Sequence, residues 1–99
     1  MTDENKLIRD ASKGVRARQL LDDEMLVESF KALEDAYTTA WRNSHVDDGA
    51  GREKMFLAIN ILGQLRNNLK AFVTNGRFAE AELKSIAFMR ERKKRLGIF

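Results

Sequence analysis

The sequence predicts an all-α protein, and three observations support that prediction. The 99 residues include no proline, a residue that would interrupt a helix interior. Apolar residues recur every three or four positions over long stretches, which is the spacing of one face of a helix. Short clusters of Gly, Asp and Asn separate these stretches. We therefore expect an antiparallel helical hairpin with a third, basic C-terminal helix, a form that can assemble into an oligomeric bundle.

Composition narrows the function classes. The chain is 43% hydrophobic and 33% charged, which indicates a globular protein. It has no cysteine, which excludes disulfides, a thiol nucleophile and a cysteine-based metal site. No apolar run approaches the ~20 residues that a membrane span needs, and the acidic start is unlike a signal peptide. Residues 1–48 hold seven Lys/Arg against eleven Asp/Glu, whereas residues 49–99 hold eleven against four. An acidic and a basic half can attract each other when they pack together.

The first twenty residues carry the weakest pattern. Ile8, Ala11 and Val15 have helical spacing, but Gly14 lowers helix propensity by about 1 kcal/mol relative to Ala. Residues 1–20 are therefore predicted to be an N-terminal arm or a weak helix, and residues 21–99 the helical hairpin domain.

The first clear helix is predicted to begin at Asp22, whose carboxylate suits an N-cap. Its apolar stripe consists of Leu26, Phe30, Leu33, Tyr37 and Ala40. Trp41 extends the stripe, either as a core anchor against Met55 or Phe56 or as a contact for a partner protein. The sequence HVDDGAG then predicts a turn in which Asp47 or Asp48 caps the next helix.

The second helix has the strongest pattern. Its seam consists of Met55, Ala58, Leu62, Leu65, Leu69 and Phe72. Phe56, Leu57 and Ile61 add apolar surface beyond that seam, more than one partner helix can cover. Gly63 predicts the close approach of another backbone. Asn75 and Gly76 form a typical helix end, because glycine adopts the left-handed conformation without strain.

A third helix is predicted after Gly76. Ala79, Leu83 and Ile86 share one face, and Gly97 is expected to end the helix. Its basic end is predicted to contact nucleic acid or an acidic partner through Arg90, Arg92, Lys93, Lys94 and Arg95. The same run can instead be a solvated or self-packed helix end, or a hook for protein docking.

Side chains predicted to dock a partner occupy the first helix end, the second helix and the C-terminus: Trp41, Phe56, Leu57, Ile61, Leu96, Ile98 and Phe99. Self-association or binding to a larger protein follows from their size and number.

No motif predicts catalysis. The single histidine, His45, lies in the predicted turn without a cysteine, and the adjacent carboxylates of Glu34 and Asp35 do not face each other. A phosphate-binding glycine loop is also missing from the sequence. We therefore expect no enzyme, cofactor, metal or small-molecule substrate.

The last two thirds of the chain resemble small helical proteins of tailed bacteriophages and prophages. The similarity comprises Trp41, Asp48, Arg52-Glu53-Lys54, the Leu/Ile run to Leu69, Asn75-Gly76-Arg77, Ala79 and Leu83. Such proteins lie among head-assembly and DNA-packaging genes. The outline is also similar to a small terminase subunit, although no helix-turn-helix is evident. The resemblance implies no catalytic residues, and it implies a location in the bacterial cytoplasm or the virion.

The favoured hypothesis is a non-enzymatic phage assembly or DNA-packaging protein that oligomerises or docks through apolar helix faces. The alternative is a small phage-encoded regulator that binds and inhibits a host protein or nucleic-acid complex. A third is a sequence-independent DNA-binding protein.

Overall fold

Three α-helices form the computed structural model, which describes residues 3–97. They are α1 (Glu4–Asp22), α2 (Glu24–Arg42) and α3 (Gly49–Arg95), with no strand in the described part of the chain. The predicted all-α class is confirmed. The segment 5–20, which the sequence left open between an arm and a weak helix, is part of α1. No helix within residues 3–97 is both long and apolar enough to cross a bilayer.

The chain divides into two units, and each is an antiparallel helix pair. The central unit is residues 19–70, in which α2 lies along the first part of α3. The terminal unit consists of the described residues of Met1–Arg18 and Ala71–Phe99, in which α1 lies along the second part of α3. The predicted antiparallel hairpin therefore occurs in both units, and α3 contributes to each.

One extended residue, Asp23, separates α1 from α2. Its φ of −70° and ψ of 120° are not helical, and its Oδ1 accepts a hydrogen bond of 3.0 Å from the Leu26 amide. Asp23 is therefore the N-cap of α2. The prediction of Asp22 as the cap is wrong, because α1 continues through Asp22 and uses that residue as its last turn.

The two ends of α3 agree with the sequence. Asp48 caps its start, since Oδ1 accepts a hydrogen bond of 3.0 Å from the Gly51 amide. At the other end, helix α3 stops at Arg95 and Gly97 adopts a φ of 66°. That left-handed conformation favours glycine, so the predicted C-terminal stop is confirmed.

The predicted helix end at Asn75 and Gly76 is wrong, because α3 runs through both residues. Consequently the basic third helix is not separate: its residues are the last part of α3. Gly76 is instead buried against α1. A Cβ atom placed on it would lie 2.6 Å from the Cα of Gly14, closer than real Cβ contacts. Glycine serves a helix crossing here, and the same residue type is also the usual sign of a helix end.

Gly63 does not have the backbone neighbour that the sequence predicted. A Cβ atom placed on Gly63 would meet nothing within 4 Å. The close approach occurs at Gly14, where an added Cβ would lie 2.7 Å from the Cα of Gly76 and 2.9 Å from the carbonyl oxygen of Phe72. The terminal unit is therefore the part of the chain in which glycine brings two helices together.

Candidate assembly surface and basic end

Polar contacts hold α2 against α3 in the central unit. Arg66 donates from Nη2 to Oε2 of Glu34 at 3.0 Å, and its guanidinium lies 5.4 Å from the ring centre of Phe30. Phe30 is the buried side chain of this unit. The expected attraction between acidic α2 and basic α3 is thus confirmed for the pair formed by Glu34 and Arg66. Both side chains are partly exposed, so the ion pair itself contributes less than about 1 kcal/mol.

A groove of about 360 Å³ opens on one side of this helix pair. Apolar side chains line its floor and charged side chains line its rim. The lining residues are Leu20, Leu21, Leu26, Val27, Phe30, Lys31, Glu34, Arg66 and Lys70. This groove marks one side of the central unit as mixed in character, part apolar and part charged.

The opposite side of the central unit is identified by helix geometry. Positions nine apart are two and a half turns apart, so they lie on opposite sides of a helix. The groove is lined by positions 27 and 31 of α2 and by positions 66 and 70 of α3. Positions 36 and 40, and positions 57 and 61, therefore lie on the other side of the pair.

That side forms an uncharged surface, which we name the apolar face. Four-residue spacing adds Leu65 to the α3 stripe, and the spacing of three adds Leu33 to the α2 stripe. The apolar face thus consists of Leu33, Ala36, Ala40, Leu57, Ile61 and Leu65. All six are exposed, with Ile61 at 62% near the middle of the α3 stripe.

Four of the predicted docking residues lie in the central unit, and the structure distributes them. Leu57 and Ile61 belong to the apolar face. Phe56 is also exposed, at 54%, but it lies five positions before Ile61 and so about 140° away around α3. Trp41 is more covered than these, and the guanidinium of Arg52 lies 5.9 Å from its ring centre.

The three remaining docking residues lie at the C-terminus. Leu96 is 63% exposed and follows the last residue of α3. Ile98 and Phe99 lie outside the described residues. Their predicted docking role stays a prediction.

The predicted basic end divides into paired and open cations. Arg90 makes a two-pronged ion pair with Glu4 of α1, at 3.0 and 3.2 Å. Arg95 lies 3.8 Å from Glu91 on the same helix. The other three side chains are exposed, and no ion pair to them is formed within residues 3–97: Arg92, Lys93 and Lys94. Arg90 therefore fixes the two helices of the terminal unit, and the three open cations form the surface that a polyanion would meet.

A further basic stripe on α1 was missed by the sequence reasoning. Four cations recur at spacings of three, four and three residues, and all are exposed: Lys6, Arg9, Lys13 and Arg16. This spacing places them along one side of α1, over about 15 Å at 1.5 Å per residue. The spacing was available in the sequence, but the acidic balance of residues 1–48 concealed it.

Charge follows the units more closely than it follows the halves of the sequence. The terminal unit holds twelve Lys/Arg against six Asp/Glu, a net charge of +6. The central unit holds six against nine, a net charge of −3. The α1 stripe and the open cations at the end of α3 therefore belong to the same, strongly basic unit.

Within residues 3–97, no group of three or more His, Asp or Glu side chains is arranged to hold a metal ion. Comparison of the chain with family models, with curated proteins and with solved structures finds no match. The resemblance to small phage proteins therefore stays a prediction, and the surfaces described above carry the functional argument.

Proposed function

We propose that this chain is a non-enzymatic assembly protein that docks through exposed apolar helix surface and contacts DNA through its basic unit. The observation that carries the proposal is the exposure of large apolar side chains on α3, with Leu57, Ile61 and Leu65 between 49% and 62% exposed. Such a contiguous surface is typical of a protein interaction site. The resemblance to phage proteins supports a role in head assembly or DNA packaging.

DNA is favoured as the partner of the terminal unit because of its charge and its geometry. The four cations of the α1 stripe are spaced by about 4.5–6 Å along the helix axis. The B-DNA backbone presents a phosphate every ~3.4 Å per strand, so a stripe of this length spans about four phosphates. The open cations at the end of α3 add to the same unit. Contacts of this kind bind the backbone without reading base sequence.

The test is binding of a fluorescent DNA duplex by charge-reversed variants. We expect Lys93→Glu with Lys94→Glu, and separately Lys6→Glu with Lys13→Glu, to weaken binding about tenfold or more, since each phosphate contact contributes about −0.9 to the slope of log K against log salt. The matched control is Lys31→Glu with Arg42→Glu, which changes the net charge equally but lies in the central unit. It should retain most of the affinity.

Equal losses in all three variants would show that only the net charge matters, and the proposed DNA surface would be wrong. Absence of DNA binding at low salt would remove the DNA role altogether. Binding of an acidic host protein in its place, with the same dependence on Lys93 and Lys94, would favour the regulator.

A further inference from the structure

We propose that a second copy of this chain covers the apolar face of the central unit, so that two α2–α3 pairs pack into a four-helix bundle. The inference rests on the proposed function, because it names the partner for the surface through which the chain docks. Three observations lead to a second copy: the exposed area, the small core of one chain and the shape of the face.

The exposed area of one chain is larger than its mass predicts. A folded monomer of 11.4 kDa is expected to expose about 5,800 Å², whereas this chain exposes 8144 Å². The difference is roughly 2,300 Å², and a standard interface covers about 800 Å² on each partner. One chain therefore offers more than enough surface for a stable dimer.

The core of one chain is correspondingly small. In the described residues, the buried hydrophobic side chains are Leu7, Ala17, Phe30 and Ala79. Only Phe30 belongs to the central unit. Helical stability in proteins comes mainly from packing of the apolar face, and a single buried phenylalanine supplies little of it. Packing against a second copy would enclose the half-exposed side chains of the apolar face and complete a core.

The shape of the apolar face suits its own copy. Its α3 stripe is a ridge of three large side chains, Leu57, Ile61 and Leu65. Its α2 stripe is shallower, because Ala36 and Ala40 have only a methyl group. A two-fold rotation places the ridge of each copy over the shallow stripe of the other, which is the self-complementarity that an isologous interface requires.

Charge also favours this occupant. Positions 29–40 of α2 and 57–65 of α3 place no charged side chain on the face. Two copies therefore meet without repulsion, although the central unit as a whole has a net charge of −3. A strongly charged partner would find no complement there.

The experiment is sedimentation equilibrium of the full chain and of two variants of α3. We expect the unmodified chain to have twice the mass of 11.4 kDa at micromolar concentration. Ile61→Glu places a carboxylate in the middle of the face and should raise the dimer dissociation constant at least 100-fold. The matched control is Asn60→Glu, which introduces the same charge at the neighbouring exposed position, about 100° around the helix. It should remain a dimer.

Far-UV circular dichroism at several protein concentrations covers the case in which Ile61→Glu does not fold. A chain whose folding is coupled to dimerisation has a Tm that rises with concentration, which the unmodified protein reports without any variant. Unfolding of Ile61→Glu alone, together with that rise, supports the proposal.

Two results would overturn the second copy. One is a folded monomer of the unmodified chain at about 100 μM, a concentration that would populate even a weak dimer. The other is an Ile61→Glu variant with the mass of the Asn60→Glu control. A folded monomer that still binds DNA through Lys93 and Lys94 would leave the proposed function in place with a different docking partner, whereas loss of both properties would remove the two proposals together.

Discussion

At the residue scale, Gly14 and Gly76 have the clearest structural role. Each is buried, and a Cβ atom on either would lie within 3.0 Å of the other's backbone. Gly63 is on the same helix as Gly76, but a Cβ atom there would enter open space. The two glycines of α3 therefore differ in what a methyl group would contact, although both occupy a helix interior.

Alanine substitutions at these two glycines should change stability in opposite directions. Gly76→Ala forces α1 and α3 apart and should lower the free energy of unfolding by about 1–3 kcal/mol, since overpacking outweighs the gain in helix propensity. Gly63→Ala should raise it by up to about 1 kcal/mol. Urea denaturation at one fixed protein concentration measures both. Stabilisation by both substitutions would show that Gly14 and Gly76 are not in contact.

At the element scale, three consecutive acidic residues contain the break between α1 and α2. Asp22 ends α1, Asp23 is extended, and Glu24 begins α2. The carboxylate of Asp23 accepts the Leu26 amide, so one side chain both ends the first helix and starts the second. Asp22 lies at a helix C-terminus, where the helix dipole disfavours an anion.

Removing these carboxylates separates the two positions. Asp23→Ala should destabilise the protein by about 0.5–2 kcal/mol, because the first turn of α2 loses its cap. Asp22→Ala should be neutral or slightly stabilising, because it removes an anion from the end of α1. Thermal unfolding followed by circular dichroism distinguishes them. A larger loss for Asp22→Ala would restore the assignment made from the sequence.

At the scale of the whole molecule, the two units present different chemistry. The terminal unit has a net charge of +6 and carries the exposed cations, whereas the central unit has a net charge of −3 and carries the apolar face. Binding of DNA by cations releases counterions and so weakens as salt rises. Burial of uncharged apolar surface has no such dependence, and concentrated sulfate strengthens it.

A salt titration should therefore separate the two activities in one sample. Raising NaCl from about 50 to 500 mM should release DNA from the protein, since about four phosphate contacts weaken binding by several powers of ten over that range. The sedimenting mass of the protein should stay that of the dimer. Dissociation of the dimer over the same range would mean that ion pairs, rather than the apolar face, hold the copies together.

Much of the fold followed from local patterns in the sequence. The three- and four-residue spacing predicted helices, Asp48 was identified as a cap, and Gly97 as a stop, because each depends on neighbours within one turn. The docking residues Leu57 and Ile61 were singled out as surplus apolar surface, and they are exposed. Properties that arise within a few residues of the chain are readable without the tertiary structure.

The tertiary structure decided what depends on a distant segment. Gly76 was expected to end a helix, but the backbone of Gly14, 62 positions away, gives it a different use. Arg90 was expected to meet an outside partner, but Glu4 lies beside it. The sequence by itself determined that the chain is helical and where its helix faces lie. The side of the hairpin left uncovered, and the cations left open, were decided only by which helices pack together, because a local pattern shows which residues share a face but not which segment lies against it.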